Sequence, residues 1–507
     1  MALDLLCRYE ISSNTAPSAT PCATTLATVK MGRTVAAVAA SAAAIAAYCA
    51  YSYYKKRRVI AAIRAMPKIE LHVHLDGAFD ADTLFKLSMA RVDELPEAIA
   101  SQIRACGTDI NKFKALATCT GKEEQTLKAM IDKFVFFLPI VQGQYAYLEA
   151  LAYRFVEGQA LQNILYTEVR YSPHILTAAA TFDGTSTDAN DEEARAVVAA
   201  VTRGLRRGCA AHPGTEIAQI LCFIDCQPQW ADSLVAIATE LKANDAFDSP
   251  TACDALPPCP VVAVDVAAGE AHFVDYFTSP SSDNGKLHRA AMCKCRANGL
   301  GLTNHAGESG PASHVALAAS ETYGSATRIG HGYEAVREAI EAAGYDKRDD
   351  TSAMVEAFKG LGVPDGLCFE CCPTSSRATS GWVGTDWKDH PAATLTRLQE
   401  NAEVVSIEVG ANYLFCDDDP APVLAAAAAM MSLPRATISS DDPAVFNSSL
   451  TDELEIAVFK MGLGTSKLKL LMGNAVNGAF LSVASKERLM KRFEEAWAVW
   501  GGLPRAM

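Results

Sequence analysis

The chain has no extended basic run beyond Lys55-Lys56-Arg57-Arg58, and its formal net charge is -14. A body this acidic repels polyphosphate, which argues against nucleic acid as a partner. A cysteine framework is missing too. The 16 cysteines are scattered, and the one C-x-x-C pair, Cys368-Phe369-Glu370-Cys371, has no second pair with which to build a four-cysteine zinc site. That pair falls in an expected strand, where a thioredoxin-type motif would open a helix. The cysteines therefore read as small buried hydrophobes in a reducing compartment. What is present is ordinary for a folded enzyme: 50% hydrophobic and 21% charged residues, enough apolar mass for a large core.

One long stretch is free of charge, Thr34 to Tyr54, closed by Lys55-Lys56-Arg57-Arg58. Its length matches the about 20 residues that span a bilayer, although its apolarity is mostly alanine. With the basic cluster on its C-terminal side, a spanning helix would leave the main domain cytoplasmic. The other readings are an organelle transit peptide and a secretory signal that starts at Met31. We expect residues 1–58 to be a targeting or anchoring segment outside the catalytic fold. Residues 59–507 form the catalytic domain, and the protein is expected to be a monomer.

From there on, short apolar, β-branched runs alternate with helical patterns. The strand candidates are Ile69–Leu75, Ile164–Tyr171, Ile217–Ile224, Val261–Val266, Gly301–His305, Arg328–Gly332, Leu367–Cys371 and Ala436–Ser440. Helical stretches such as Val315–Tyr323 and Glu334–Ala343 lie between them. Strands separated by helices imply parallel βαβ units, and eight in succession predict a (β/α)8 barrel. Asn244–Pro260 and Asn401–Pro434 read as insertions.

A barrel enzyme builds its site where strands end at the C-terminal face. Here those ends carry His72, His74 and Asp76; then Ala267-Ala268-Gly269-Glu270; His305-Ala306-Gly307-Glu308; His331; and Asp441-Asp442-Pro443. His72 and His74 are two apart, so one strand face presents both. With His305 and Asp441 from across the barrel they make a three-imidazole, one-carboxylate set suited to zinc with room for a water. A lone His-x-His is more often a pair of self-satisfied core histidines; strands 5 and 8 shift that balance. Zinc lowers the pKa of its water and so provides hydroxide. Glu308, kept neutral by an apolar pocket, could protonate a ring nitrogen. His331 could take the water's proton. The plainer reading of Glu308 is an acid capping the next helix. His174, His212, His272, His288, His314 and His390 show no clustering and read as structural or surface groups.

The motifs Met-Pro-Lys-Ile-Glu-Leu-His-Val-His-Leu-Asp-Gly-Ala (66–78), Tyr-Thr-Glu-Val-Arg-Tyr-Ser-Pro-His (166–174), His-Ala-Gly-Glu (305–308), Arg-Ile-Gly-His-Gly-Tyr (328–333) and Ser-Ser-Asp-Asp-Pro (439–443) together resemble the adenosine deaminases, in the order of that family. The resemblance runs from about Pro67 to about Trp500. It implies zinc on His72, His74, His305 and Asp441, proton delivery to purine N1 by Glu308, and His331 beside the nucleophile. It further implies Asp442 at purine N7, the Gly269 N–H at N3, and Asp76 at the ribose 5′-hydroxyl. A carboxylate at Asp76 would repel a phosphate, which favours an unphosphorylated purine nucleoside as the small-molecule partner. The expected reaction is adenosine, and 2′-deoxyadenosine, to inosine and ammonia. The His-x-Glu and Pro-Cys-x-x-Cys signature of cytidine-type zinc deaminases is absent.

Two departures stand out. Cys416-Asp417-Asp418-Asp419-Pro420 imitates the strand 8 motif, but no β-rich run precedes it, so Asp441-Asp442 is the better assignment. Cys372-Pro373-Thr374-Ser375-Ser376 fits the family's Cys-Pro-x-Ser loop, whereas Arg377–Gly381 departs from it. The rival readings are a deaminase of adenine or of an N6-methylated nucleotide, and a non-catalytic nucleoside-binding relative.

Overall fold

The computed structural model describes residues 44–119, 125–178, 191–242, 256–270, 273, 283–413 and 432–504. The chain divides into two compact units, Met1–Ala61 and Ala62–Met507. Of the first, residues 44–61 are described; they are helical and mostly exposed. Part of the uncharged run, 34–43, lies outside the described residues, and among those described no helix is long and apolar enough to cross a membrane. Most of both insertions, including Asp417–Asp419, also lies outside them; residues 401–413 continue the helix Pro391–Tyr413.

Among the described residues, the second unit is built on nine parallel strands. They are β1 (Lys68–His74), β2 (Ile164–Tyr171), β3 (Glu216–Ile224), β4 (Val261–Ala267), β5 (Gly301–Leu302), β6 (His305–Ala306), β7 (Arg328–His331), β8 (Cys368–Cys371) and β9 (Arg435–Ile438). β1 to β5 pair in sequence order as one sheet, and β6 to β9 as another. Every residue of β2 is buried, as expected for a parallel strand covered on both faces. The expected fifth strand, Gly301–His305, is thus two strands. Thr303 N still donates to Val264 O of β4 (3.1 Å), but the Asn304 carbonyl already accepts from Gly330 N of β7 (3.0 Å). The change of partner breaks the ladder.

Across the other seam, β1 meets the residues after β9 through a parallel bridge between Val73 and Asp441. His74 N donates to Asp441 O at 2.8 Å, and Asp441 N donates to His72 O at 3.0 Å. β5 and β6 together occupy one strand position, so eight positions close the sheet, with helices in each connection: a (β/α)8 barrel. One expected helix is also shorter than its pattern. Val315–Tyr323 resolves into Ala312–Ala318 and a 3-10 turn, Glu321–Tyr323, that ends at Gly324 with φ 77°.

The barrel interior departs from the usual branched aliphatic filling. Arg170 Nη1 donates to Asp265 Oδ2 (2.8 Å), and Arg170 Nη2 to Glu370 Oε2 (2.7 Å) and to Leu71 O (2.7 Å). Arg328 binds Glu370 and Glu168 from the next side and donates Nη2 to Leu71 O (3.1 Å). All five charged side chains are buried. A buried ion pair contributes little net stability, but removing one partner strands the other charge in low dielectric. Arg170→Met, which leaves Asp265 and Glu370 short of a counter-charge, is therefore expected to destabilise the fold by about 3–5 kcal/mol, read as a lower urea midpoint.

Candidate active site

Four of the groups singled out in the sequence converge at the C-terminal mouth. One donor atom from each of His72, His74, His305 and Asp441 lies within 4.8 Å of all the others. β1 presents both of its imidazoles; His305 opens β6, and Asp441 follows β9 in a left-handed conformation, φ 62°. Such a backbone is strained for a residue other than glycine. It is held by the bridge to β1 and by Glu70, whose Oε1 accepts from Ser440 N (3.0 Å) and Ser440 Oγ (2.6 Å).

The cluster has the chemistry of a divalent-cation site. His72 Nε2 is fully buried, 3.1 Å from Asp441 Oδ1, yet without a well-aligned hydrogen bond. The outer nitrogens of two ligand candidates are already committed: His72 Nδ1 lies 2.7 Å from Glu370 Oε2, and His305 Nδ1 lies 3.0 Å from Asp265 Oδ2. Carboxylates behind imidazoles fix ring orientation and tautomer in metal sites. Burial, though opposed by Asp441, holds His74 well below its usual range, leaving a neutral ligand. Gly330 leaves room for this arrangement, since a Cβ there would sit 2.6 Å from His72 Cε1.

Around the cluster, neighbouring acids are driven apart. Burial raises Asp441 less than the histidines lower it, so its carboxylate stays ionised. Glu308 is pushed up to about 7 by burial and then by Asp441. Asp442 rises well above the carboxylate range for the same two reasons, and its Oδ1 is buried without a partner. Burial raises Asp76 to about 7. His331 is lowered to about 3 by burial, so it is neutral at physiological pH. Its Nε2 stands 3.7 Å from both Glu308 Oε2 and Asp441 Oδ2, while Tyr333 Oη lies 3.2 Å from its Nδ1. Glu308 Oε1 accepts from Thr379 Oγ1 at 2.7 Å.

These groups share one cleft of about 670 Å³, its open mouth included. One wall carries His74, Asp76, Glu308, His331, Asp441 and Asp442. Gly269, beyond β4, also lines the cleft, and an apolar part of the lining comes from Leu127, Ile131, Phe134 and Leu138 of the helix Leu127–Val141. Gly77 is required beside it: a Cβ there would lie 1.8 Å from Asp442 Oδ1.

A parallel barrel with a histidine–aspartate cation cluster at its C-terminal mouth defines a class of hydrolytic enzymes. The comparisons with known proteins narrow the class. The adenosine deaminase family model matches residues 67–408 and 428–496, and the chain belongs to that family. Adenosine deaminase of Danio rerio is 27% identical over 437 residues, 85% of this chain and 96% of that protein. Among solved structures, an adenine deaminase from Arthrobacter aurescens aligns with TM-score 0.53 and 18% identity, over 86% of this chain and 99% of its own. An N6-mAMP deaminase of Arabidopsis aligns with TM-score 0.52 and 19% identity, covering 85% and 99%.

Several participants escape a reading of the sequence. Glu370 and Asp265 are lone carboxylates inside apolar strands, and their partners lie 298 and 40 residues away. Glu270 stands at a strand end, but nothing in the sequence around it points to a role; His314, which reads as structural, is its buried partner at 2.6 Å. Thr379 lies in the stretch that departs from the family pattern. Its hydrogen bond favours the ionised form of Glu308, so Thr379→Val is expected to raise the Glu308 carboxyl above about 7. Carboxyl ¹³C NMR titration of the labelled protein checks this.

Proposed function

We propose that the protein is an adenosine deaminase, converting adenosine and 2′-deoxyadenosine to inosine and ammonia. The observation that carries this reading is Glu308: a buried carboxyl raised to about 7, lining the cleft beside the histidine–aspartate cluster. A carboxylic acid that is still half protonated at neutrality can donate to a ring nitrogen.

His72, His74, His305 and Asp441 would hold a zinc ion, which when bound lowers the pKa of a water and so provides the nucleophile at neutral pH. The remaining work belongs to the chain. Glu308 gives a proton to purine N1, which breaks the ring's aromaticity and opens C6 to attack. Neutral His331 accepts the proton released by the attacking water and passes it to the C6 amine. The C6–N bond then breaks and ammonia leaves, while the proton of the C6 hydroxyl returns to Glu308 as the carbonyl of inosine forms. Asp442, kept protonated by burial and by Asp441, donates to N7, an acceptor. The Gly269 N–H faces N3. Asp76 meets the ribose 5′-hydroxyl, and among the described residues no Lys or Arg lines the cleft to receive a phosphate there. Residues 1–58 we assign to targeting or anchoring, on the uncharged run from Thr34 to Tyr54 and the basic cluster that closes it.

Glu308 acts protonated, so its ionisation as pH rises through about 7 should depress kcat/KM on the alkaline side. Glu308→Gln should keep metal and bind nucleoside while kcat falls by at least about 10²-fold. Ammonia release from adenosine, adenine, AMP and N6-methyl-AMP decides the substrate. Faster turnover of any of the last three than of adenosine would replace this reading.

A further inference from the structure

The loop that carries Glu308 is organised from outside itself. Glu270, beyond β4, sends its carboxylate beneath residues 307–310. Its Oε1 accepts from the backbone N of Glu308 (3.0 Å), Ser309 (2.9 Å) and Gly310 (3.1 Å), and its Oε2 from Gly307 N (3.0 Å). His314 Nδ1 closes the arrangement at 2.6 Å from Oε2. Glu270 is 7% exposed and His314 4%. Gly307, at φ 68°, turns the chain so that successive amides point inward. Gly310 admits the carboxylate closely: a Cβ there would meet Glu270 Oε2 at 2.5 Å and His314 Nδ1 at 2.1 Å.

Successive backbone N–H groups in a concave turn form an anion receptor of the kind that often holds phosphate. Here the chain supplies its own anion. Burial alone would raise Glu270, but the His314 hydrogen bond and the loop amides outweigh it and hold the carboxyl at about 2, so it is ionised at every working pH. Charge-assisted bonds of this kind are roughly twice as strong as neutral ones.

We propose that Glu270 is the positioning residue of the reaction, an internal anion that fixes the backbone of residues 307–310 and thereby the place of the Glu308 carboxyl against the substrate. The proposal rests on the deaminase reading for the role of Glu308, but the fixing of the loop can be measured without it. A displacement of the acid by about 1 Å is enough to lose on the order of 10²-fold in rate.

The test uses the full-length, zinc-loaded protein. Glu270→Ala should retain metal content and KM while kcat falls on the order of 10²-fold. Formate, whose carboxylate fits the vacated receptor, should restore part of kcat, and neutral formamide should not. Without substrate, hydrogen exchange at the 307–310 amides should be faster in Glu270→Ala than in the parent chain, and formate should slow it again. Should Glu270→Ala fail to fold, Glu270→Gln, which keeps a carbonyl but loses the charge, should still exchange faster than the parent chain at residues 307–310. Unchanged exchange in the variants overturns the proposal, as does faster exchange that formate leaves untouched. If the parent chain deaminates nothing, the exchange measurements decide alone and only the functional reading falls.

Discussion

The Glu370 carboxylate is the interaction on which the rest of the mouth depends. It sits fully buried on β8, shared between Arg170 and Arg328 and aimed at His72 Nδ1. An isolated carboxylate there would be too costly to keep ionised. Burial works against it, but the two guanidiniums hold it well below its usual range, so it persists as an acceptor. It then commits one nitrogen of His72, which turns the other toward Asp441 and the cluster. The charged filling of this barrel is therefore better understood as a support for imidazole orientation than as a source of stability.

The same logic separates the acids above it. Asp441, Glu308 and Asp442 stand close together in one low-dielectric cleft. Asp441 has histidines around it and stays charged; Glu308 and Asp442 face that charge and are driven toward the protonated state. Groups of one chemical type thus differ in role through their surroundings, one suited to a cation and two suited to donate protons. Apolar side chains of the helix Leu127–Val141 also line the cleft.

Much of this architecture was legible in the sequence because its signals are local. Parallel strands buried on both faces are short apolar runs, and His72 with His74 exposes its geometry through spacing alone. The barrel class and the family followed, and both stand. Less local features were hidden. The break between β5 and β6 arises from a change of hydrogen-bonding partner at Asn304, which no pattern in residues 301–305 encodes. Asp265 and Glu370 are each a single charge in an apolar run, Glu168 and Arg170 share β2, and Arg328 opens β7; their meaning appears only when strands far apart in sequence are wrapped together. Nothing in the sequence singles out Leu127, Ile131, Phe134 and Leu138 as lining a cleft, because apolar periodicity does not distinguish a core from a ligand-facing surface.

The two half-sheets have one further consequence. β1 to β5 contribute His72 and His74, whereas His305 opens β6 and Asp441 follows β9. Neither half owns more than two of the four donors. Were these four to hold a cation, as proposed, a chain arrested with either seam open would offer an incomplete coordination set, and tight cation uptake would signal that tertiary assembly is finished. Scavenging of metal by half-made chains would correspondingly be discouraged by topology itself.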